Sequence, residues 1–144
     1  MTTAQEIFEA AMALMDELNE ATGAADTNDT KEYKNRTLPI LNTLRIELYP
    51  YSDTFKQKKA GKRPVPPKIE DFDSAIMLDD SICQSAMVYG LAFHLLETED
   101  PEQAAVWQSR YERSRVELMH GLPAESEDIE DVYGGIGYGE FARW

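Results

Sequence analysis

Residues 79–98, DDSICQSAMVYGLAFHLLET, decide the fold. Asp79 and Asp80 are placed to cap the first backbone N–H groups of a helix. Ile82, Ala86, Tyr89, Phe93 and Leu96 then fall on one side, with Met87, Val88, Leu91 and Leu95 around the rest. A helix apolar on nearly every face must be surrounded, so the stretch predicts one central helix from Asp79 to Thr98. Gly90 lies at its middle, where glycine costs about 1 kcal/mol against alanine. Its presence predicts a neighbouring helix crossing too close to leave room for a side chain.

Downstream, Asp100-Pro101-Glu102-Gln103 supplies an N-cap, a proline at the first helical position and a capping-box partner at the third. Ala104, Trp107, Tyr111, Ser114 and Leu118 follow one face of this last helix, Arg110, Arg113 and Arg115 lie at other positions, and His120-Gly121 closes it. A link of about two residues makes the pair an antiparallel hairpin. Upstream, Thr3 and Glu6 have capping-box spacing, and Ile7, Phe8, Ala11, Leu14, Met15 and Leu18 mark an amphipathic first helix to about Asn19. Its polar face, Glu6, Glu9, Asp16, Glu17 and Glu20, carries no base. Residues 21–29 form a connector in which Gly23 is placed to end a helix and Thr27 or Asp29 to begin the next. Tyr33, Leu38, Ile40, Leu41, Leu44 and Leu48 then run on both sides of Pro39, which predicts a bent helix over 30–49 with Pro50 as its stop.

These elements predict one all-α domain: a small four-helix bundle over residues 1–121, with residues 51–72 inserted as a long basic loop between the second and third helices, and residues 122–144 as an extended C-terminal arm. The loop holds Lys56, Lys58, Lys59, Lys62, Arg63 and Lys68, six of the chain's 14 basic residues. In a chain of formal charge −13 that concentration predicts a contact with another subunit or with DNA, the alternative being a passive insertion. The arm includes an acidic run, Glu125 to Asp131, which holds Ile129, and Val132, Tyr133, Ile136, Tyr138, Phe141 and Trp144 follow around four glycines. Such residues on a glycine-rich backbone predict a partner-binding segment, the alternative being an arm folded back on its own helices.

No constellation for chemistry stands out. Glu117-x-x-His120 has the spacing of one half of a carboxylate-bridged metal pair, but Leu91 stands three residues before His94, so the second half is missing. His94 is expected as a hydrogen-bonded core residue, His120 at a helix C-terminus, and Cys83 as a small core residue. Gly134-Gly135-Ile136-Gly137 neither follows a strand nor opens a helix. We therefore expect no enzyme activity, no catalytic or metal site and no cofactor. The acidic balance argues against general nucleic-acid or anionic-membrane binding. The first residues lack a basic and apolar leader, and no apolar run of about 18 residues occurs, so a soluble protein without a standard secretion signal is expected.

The order of parts resembles the head–tail connector, or head-completion adaptor, proteins of long-tailed bacteriophages. The likeness rests on Tyr33-Lys34-Asn35-Arg36 in the second helix, Leu78-Asp79-Asp80-Ser81 and Tyr89-Gly90-Leu91-Ala92 in the central one, Asp100-Pro101 at the last, and Asp131-Val132-Tyr133-Gly134-Gly135 with Tyr138-Gly139-Glu140-Phe141 in the tail. It covers most of the chain, and its motifs are structural. The resemblance implies a virion protein of the neck, made in the host cytoplasm, that forms a ring of about twelve copies beneath the portal protein. It also implies an arm reaching onto the portal and a platform for a tail-side stopper or tail terminator protein. The strongly basic loop departs from that pattern and leaves open whether the loop meets protein or packaged DNA. A different class of protein, a bacterial regulatory adaptor binding a basic partner through the acidic first helix, fits the same charge pattern.

Overall fold

The computed structural model describes residues 1–52 and 67–120. Among these the chain is mostly helical, with no strand beyond a single antiparallel bridge between Thr3 and Ala75. Four helices exceed one turn: α1 (Ala4–Leu14), α2 (Lys31–Leu48), α4 (Ala86–Leu96) and α5 (Pro101–His120), with a single turn α3 (Asp80–Cys83) before α4. α4 packs most extensively against α5, and also against α2 and α1.

α1 opens on the expected capping box: the Thr3 hydroxyl accepts from Glu6 N, and Glu6 accepts from Thr3 N at 2.7 Å. It ends at Leu14, not Asn19. Asp16 takes a left-handed conformation, φ 60°, its N–H reaching Ala13 O while Glu17 N reaches Met12 O at 2.9 Å. That is a Schellman closure with aspartate where glycine is usual. Leu14, the last residue of α1, and Leu18, beyond the turn, are exposed, while Met12 and Met15 are buried in the core. Gly23, also left-handed at φ 69°, therefore shapes the connector rather than a helix end. Thr30 anchors the start of α2, accepting from Thr27 N at 3.0 Å and donating to Ala25 O at 2.6 Å.

α2 runs through Pro39 as expected and passes into a 3-10 turn, Tyr49–Tyr51, at Pro50. Tyr33, Leu41, Leu44 and Leu48 are buried, and Leu38 and Ile40 half-buried.

The expected single central helix is in fact broken at Gln84–Ser85. Ser85 leaves helical geometry at φ −124°, ψ −83°, and its hydroxyl donates to Ser81 O at 2.6 Å. A serine side chain bonded back to the preceding turn competes with the helix ladder, which explains a break inside an apolar run. The two aspartates do not cap α3. Asp79 accepts from the Ser52 hydroxyl, and Asp80 accepts from Thr2 N at 2.9 Å and Thr2 Oγ1 at 2.8 Å, tying down the chain's first residues. Tyr89 and Phe93 are half-buried, Tyr89 stacked on the Trp107 ring and Phe93 against His94.

Gly90 lies at a close crossing. An added Cβ would stand 2.7 Å from Leu44 Cδ2 on α2 and 3.1 Å from Tyr111 Cδ2 on α5. Four residues, 97–100, join α4 to α5, and Asp100 caps α5 by accepting from Gln103 N at 3.2 Å. Trp107, Tyr111 and Ala104 bury as expected, while Ser114 and Leu118 are only half-buried.

Candidate interaction surfaces

The polar residues of α2 organise the return of the chain after the basic loop. Arg45 is 3% exposed, and its guanidinium donates to Ile76 O at 2.5 Å and to Pro67 O. Asn42, one turn earlier, accepts from Ile69 N at 2.8 Å and donates to Ile69 O at 3.0 Å, so it serves both backbone groups of that residue as a strand would. A buried cation bonded to carbonyls is costly to disturb, because each orphaned carbonyl costs about 1–3 kcal/mol. Burial lowers the arginine's proton affinity from its ordinary value, opposed by Tyr49 and Cys83. Residues 72–76 then run beside the N-terminal segment: Gln5 N donates to Phe72 O, Ala4 N to Ser74 O and Ile76 N to Thr2 O, at 2.9–3.2 Å. Phe72 meets Phe8 edge-to-face, and the Lys34 ammonium lies 4.9 Å from the Phe72 ring while paired with Asp26 at 2.7 Å. That hydrogen bond lowers the Asp26 carboxyl below its ordinary pKa.

The far end of α2 holds the α4–α5 turn. Arg36 donates to His94 O and Leu95 O, closing the C-terminal carbonyls of α4, and the Tyr33 hydroxyl donates to Glu99. Tyr111 of α5 likewise donates to Glu47 of α2. Burial raises both phenols above their ordinary pKa, and the carboxylates add to the shift. Burial pushes the Cys83 thiol up to about 12, and its Sγ faces Leu78 O at 3.8 Å. Cys83 is the core residue expected. His94 is not: its ring is half-exposed, stacked at a tilt 4.4 Å from Phe93, with Glu97 3.9 Å from Nδ1.

The outer side of α5 carries a different composition. Val106, Val116 and Met119 are 51, 49 and 53% exposed, and Arg110 and Arg113 stand beside them. The Arg110 guanidinium lies 4.8 Å from the centroid of the Trp107 ring. Trp107 is 7% exposed, yet its indole N–H has no acceptor among the described residues. Glu117, half of the metal-pair spacing, sits 3.6 Å from Arg113 instead. Among the described residues no three His, Cys, Asp or Glu side chains converge as a metal site requires, and no helix is long and apolar enough to cross a membrane.

Of the expected contact residues, Lys68 is exposed directly after the Arg45 clamp. Lys56, Lys58, Lys59, Lys62 and Arg63 of the loop lie outside the described residues, as do Ile129, Val132, Tyr133, Ile136, Tyr138, Phe141 and Trp144 of the arm. Sequence reasoning overlooked Arg45 and Asn42. The signal was present, since Arg45 falls four residues after Leu41 and three before Leu48, on the stripe that the apolar residues define. Comparisons with known protein families, curated proteins and solved structures find no match to this chain.

Proposed function

We propose that this chain is a non-catalytic structural protein, a head–tail connector of a long-tailed bacteriophage. On this reading its helices form a four-helix bundle, and copies close into a ring of about twelve under the portal protein in the virion neck. The arm, residues 122–144, docks on the portal, and the far side of the ring receives a stopper or tail terminator. The basic loop meets either an acidic face of the next copy or the packaged DNA.

The observation that carries the reading is the clamp at the base of the basic segment. The segment leaves from buried Ser52, and the chain returns at Pro67 under Arg45 and Asn42. Lys68, the described cation of the segment, is exposed between the two clamped residues Pro67 and Ile69, and a fixed cation at that point supports a contact element more than a passive insertion. The resemblance supplies the identity of the assembly, and the acidic surface elsewhere supplies a complement.

Imaging of assembled particles tests it. Antibody-tagged or density-mapped copies should ring the channel between portal and tail, and a chain ending at Glu127 should fold yet be missing from particles. A truncated chain that joins necks at full occupancy would sink the arm's role. A wild-type chain absent from every neck would sink the connector reading itself.

A further inference from the structure

Two exposed surfaces, one on α5 and one at the end of α1, are complementary in both charge and apolarity. One is the outer side of α5. Two of the eight cations among the described residues, Arg110 and Arg113, are exposed there, beside exposed Val106, Val116 and Met119. Arginine with apolar and aromatic neighbours is the composition enriched at the centre of protein interfaces. The Trp107 indole beneath Arg110 adds a buried N–H that has no acceptor among the described residues. The other surface is the end of α1 and the turn after it. Leu14, at the end of α1, and Leu18, after the Schellman closure, are exposed close to Asp16, Glu17 and Glu20 in the sequence, and no lysine or arginine precedes Lys31.

We infer that these surfaces are the two halves of one contact between copies of this chain, the α5 face of one copy receiving the α1 end of the next. The exposed leucines would meet the valines and methionine, and the acids would meet the arginines. α1 and α5 each pack on α4 without packing extensively on one another, so the two halves sit apart on the same molecule. Such a contact is heterologous: it leaves an unused half at each end and adds copies head to tail until a ring closes. The inference rests on the connector reading only in giving that ring its subunit contact.

The test uses two variants of the full chain, each altered only at exposed residues: Arg110→Ser with Arg113→Ser and Val116→Ser on α5, and Leu18→Ser with Glu20→Ser after α1. Melting curves first show that both fold. Sedimentation of the wild type should reveal species larger than a dimer that shrink as salt rises. Each variant alone should lose all association, while an equimolar mixture should form a one-to-one complex and nothing larger, because only one intact pair of halves remains. A wild type that stays monomeric up to its solubility limit overturns the contact, as does a mixture that stays monomeric. An α5 variant that dissociates while the α1 variant assembles normally overturns it too, since that marks a symmetric α5–α5 contact. Failure here with rings still present in imaged necks would leave the connector reading standing. Success here with the chain missing from necks would leave only the contact.

Discussion

Replacing Gly90 probes the crossing on which the whole helical arrangement depends. An alanine Cβ would sit 2.7 and 3.0 Å from the two Cδ atoms of Leu44 and 3.1 Å from Tyr111 Cδ2. Leu44 is fully buried and Tyr111 nearly so, which limits how far either can yield. Two effects then compete. Alanine gains about 1 kcal/mol of helix propensity over glycine, and overpacking costs about 1–3 kcal/mol. Gly90→Ala should therefore fall between neutral and about 2 kcal/mol destabilising, the difference between those figures. Gly90→Leu, with three further carbons to place, should cost at least about 3 kcal/mol. At roughly 2–4 °C per kcal/mol for a chain of this size, thermal melting resolves both. Leu44→Ala makes the reasoning sharper. By itself it should cost about 2–5 kcal/mol. In its background the nearest obstacle is gone, so adding Gly90→Ala should now stabilise by up to about 1 kcal/mol. The cycle of four proteins thus predicts a coupling of about 1–3 kcal/mol between positions 44 and 90. A Gly90→Ala change that raises the melting temperature equally in both backgrounds would refute the close crossing.

Arg45→Met should orphan the carbonyls of Ile76 and Pro67 and cost about 1–3 kcal/mol for each; hydrogen exchange should show faster amides at residues 69–76, and unchanged protection there would mean the clamp carries nothing. The folded thiol of Cys83 is raised from 9.0 to about 12, so its contribution is fully present below pH 9 and is lost as pH climbs toward 12. Urea titrations should show that alkaline loss reduced in Cys83→Ala, by up to about 1.4 kcal/mol for each pH unit above 9. Asp26 behaves in the opposite sense: its folded pKa is lowered, so its contribution is present above its ordinary value of 3.8 and lost as pH falls below it. Lys34→Met should flatten that acid limb. Replacing Lys58, Lys59, Lys62 and Arg63 with serine should leave melting unchanged but reduce particle assembly or DNA retention, and normal particles would show the loop to be passive.

The elements most legible in the sequence were those whose signals are local and chemically specific. The Thr3–Glu6 capping box, the Asp100-Pro101 start of α5, the passage of α2 through Pro39 and the missing side chain at Gly90 each follow from one residue type at one position. Errors arose where two signals compete within one stretch. From Ile82 to Leu96 the apolar pattern is unbroken, yet Ser85 bonds to Ser81 O and splits α3 from α4. In α1 the apolar spacing continues through Leu18, yet Asp16 adopts the left-handed turn that glycine normally signals. Periodicity reports which residues could share a face. It does not report whether a side chain offers the backbone a better partner than the next turn would.

The same distinction explains what the sequence withheld about the surfaces. A charge on an apolar stripe can be read as an exposed flank or as a buried tie, and only its partners decide between them. Arg45 and Arg110 illustrate the two outcomes. Arg45 stands on the stripe of Leu41 and Leu48 and finds carbonyls 22 and 31 residues away, so it is consumed by the fold. Arg110 stands one turn from Trp107 and covers the indole from outside, exposed and in reach of a second molecule. Long-range backbone carbonyls leave no trace in local spacing, whereas the pairing of an arginine with an aromatic three residues earlier does. A cation of the first kind stabilises the body that presents the basic segment. Cations of the second kind can meet a partner, and for that reason the contact between copies is assigned to α5 and not to α2.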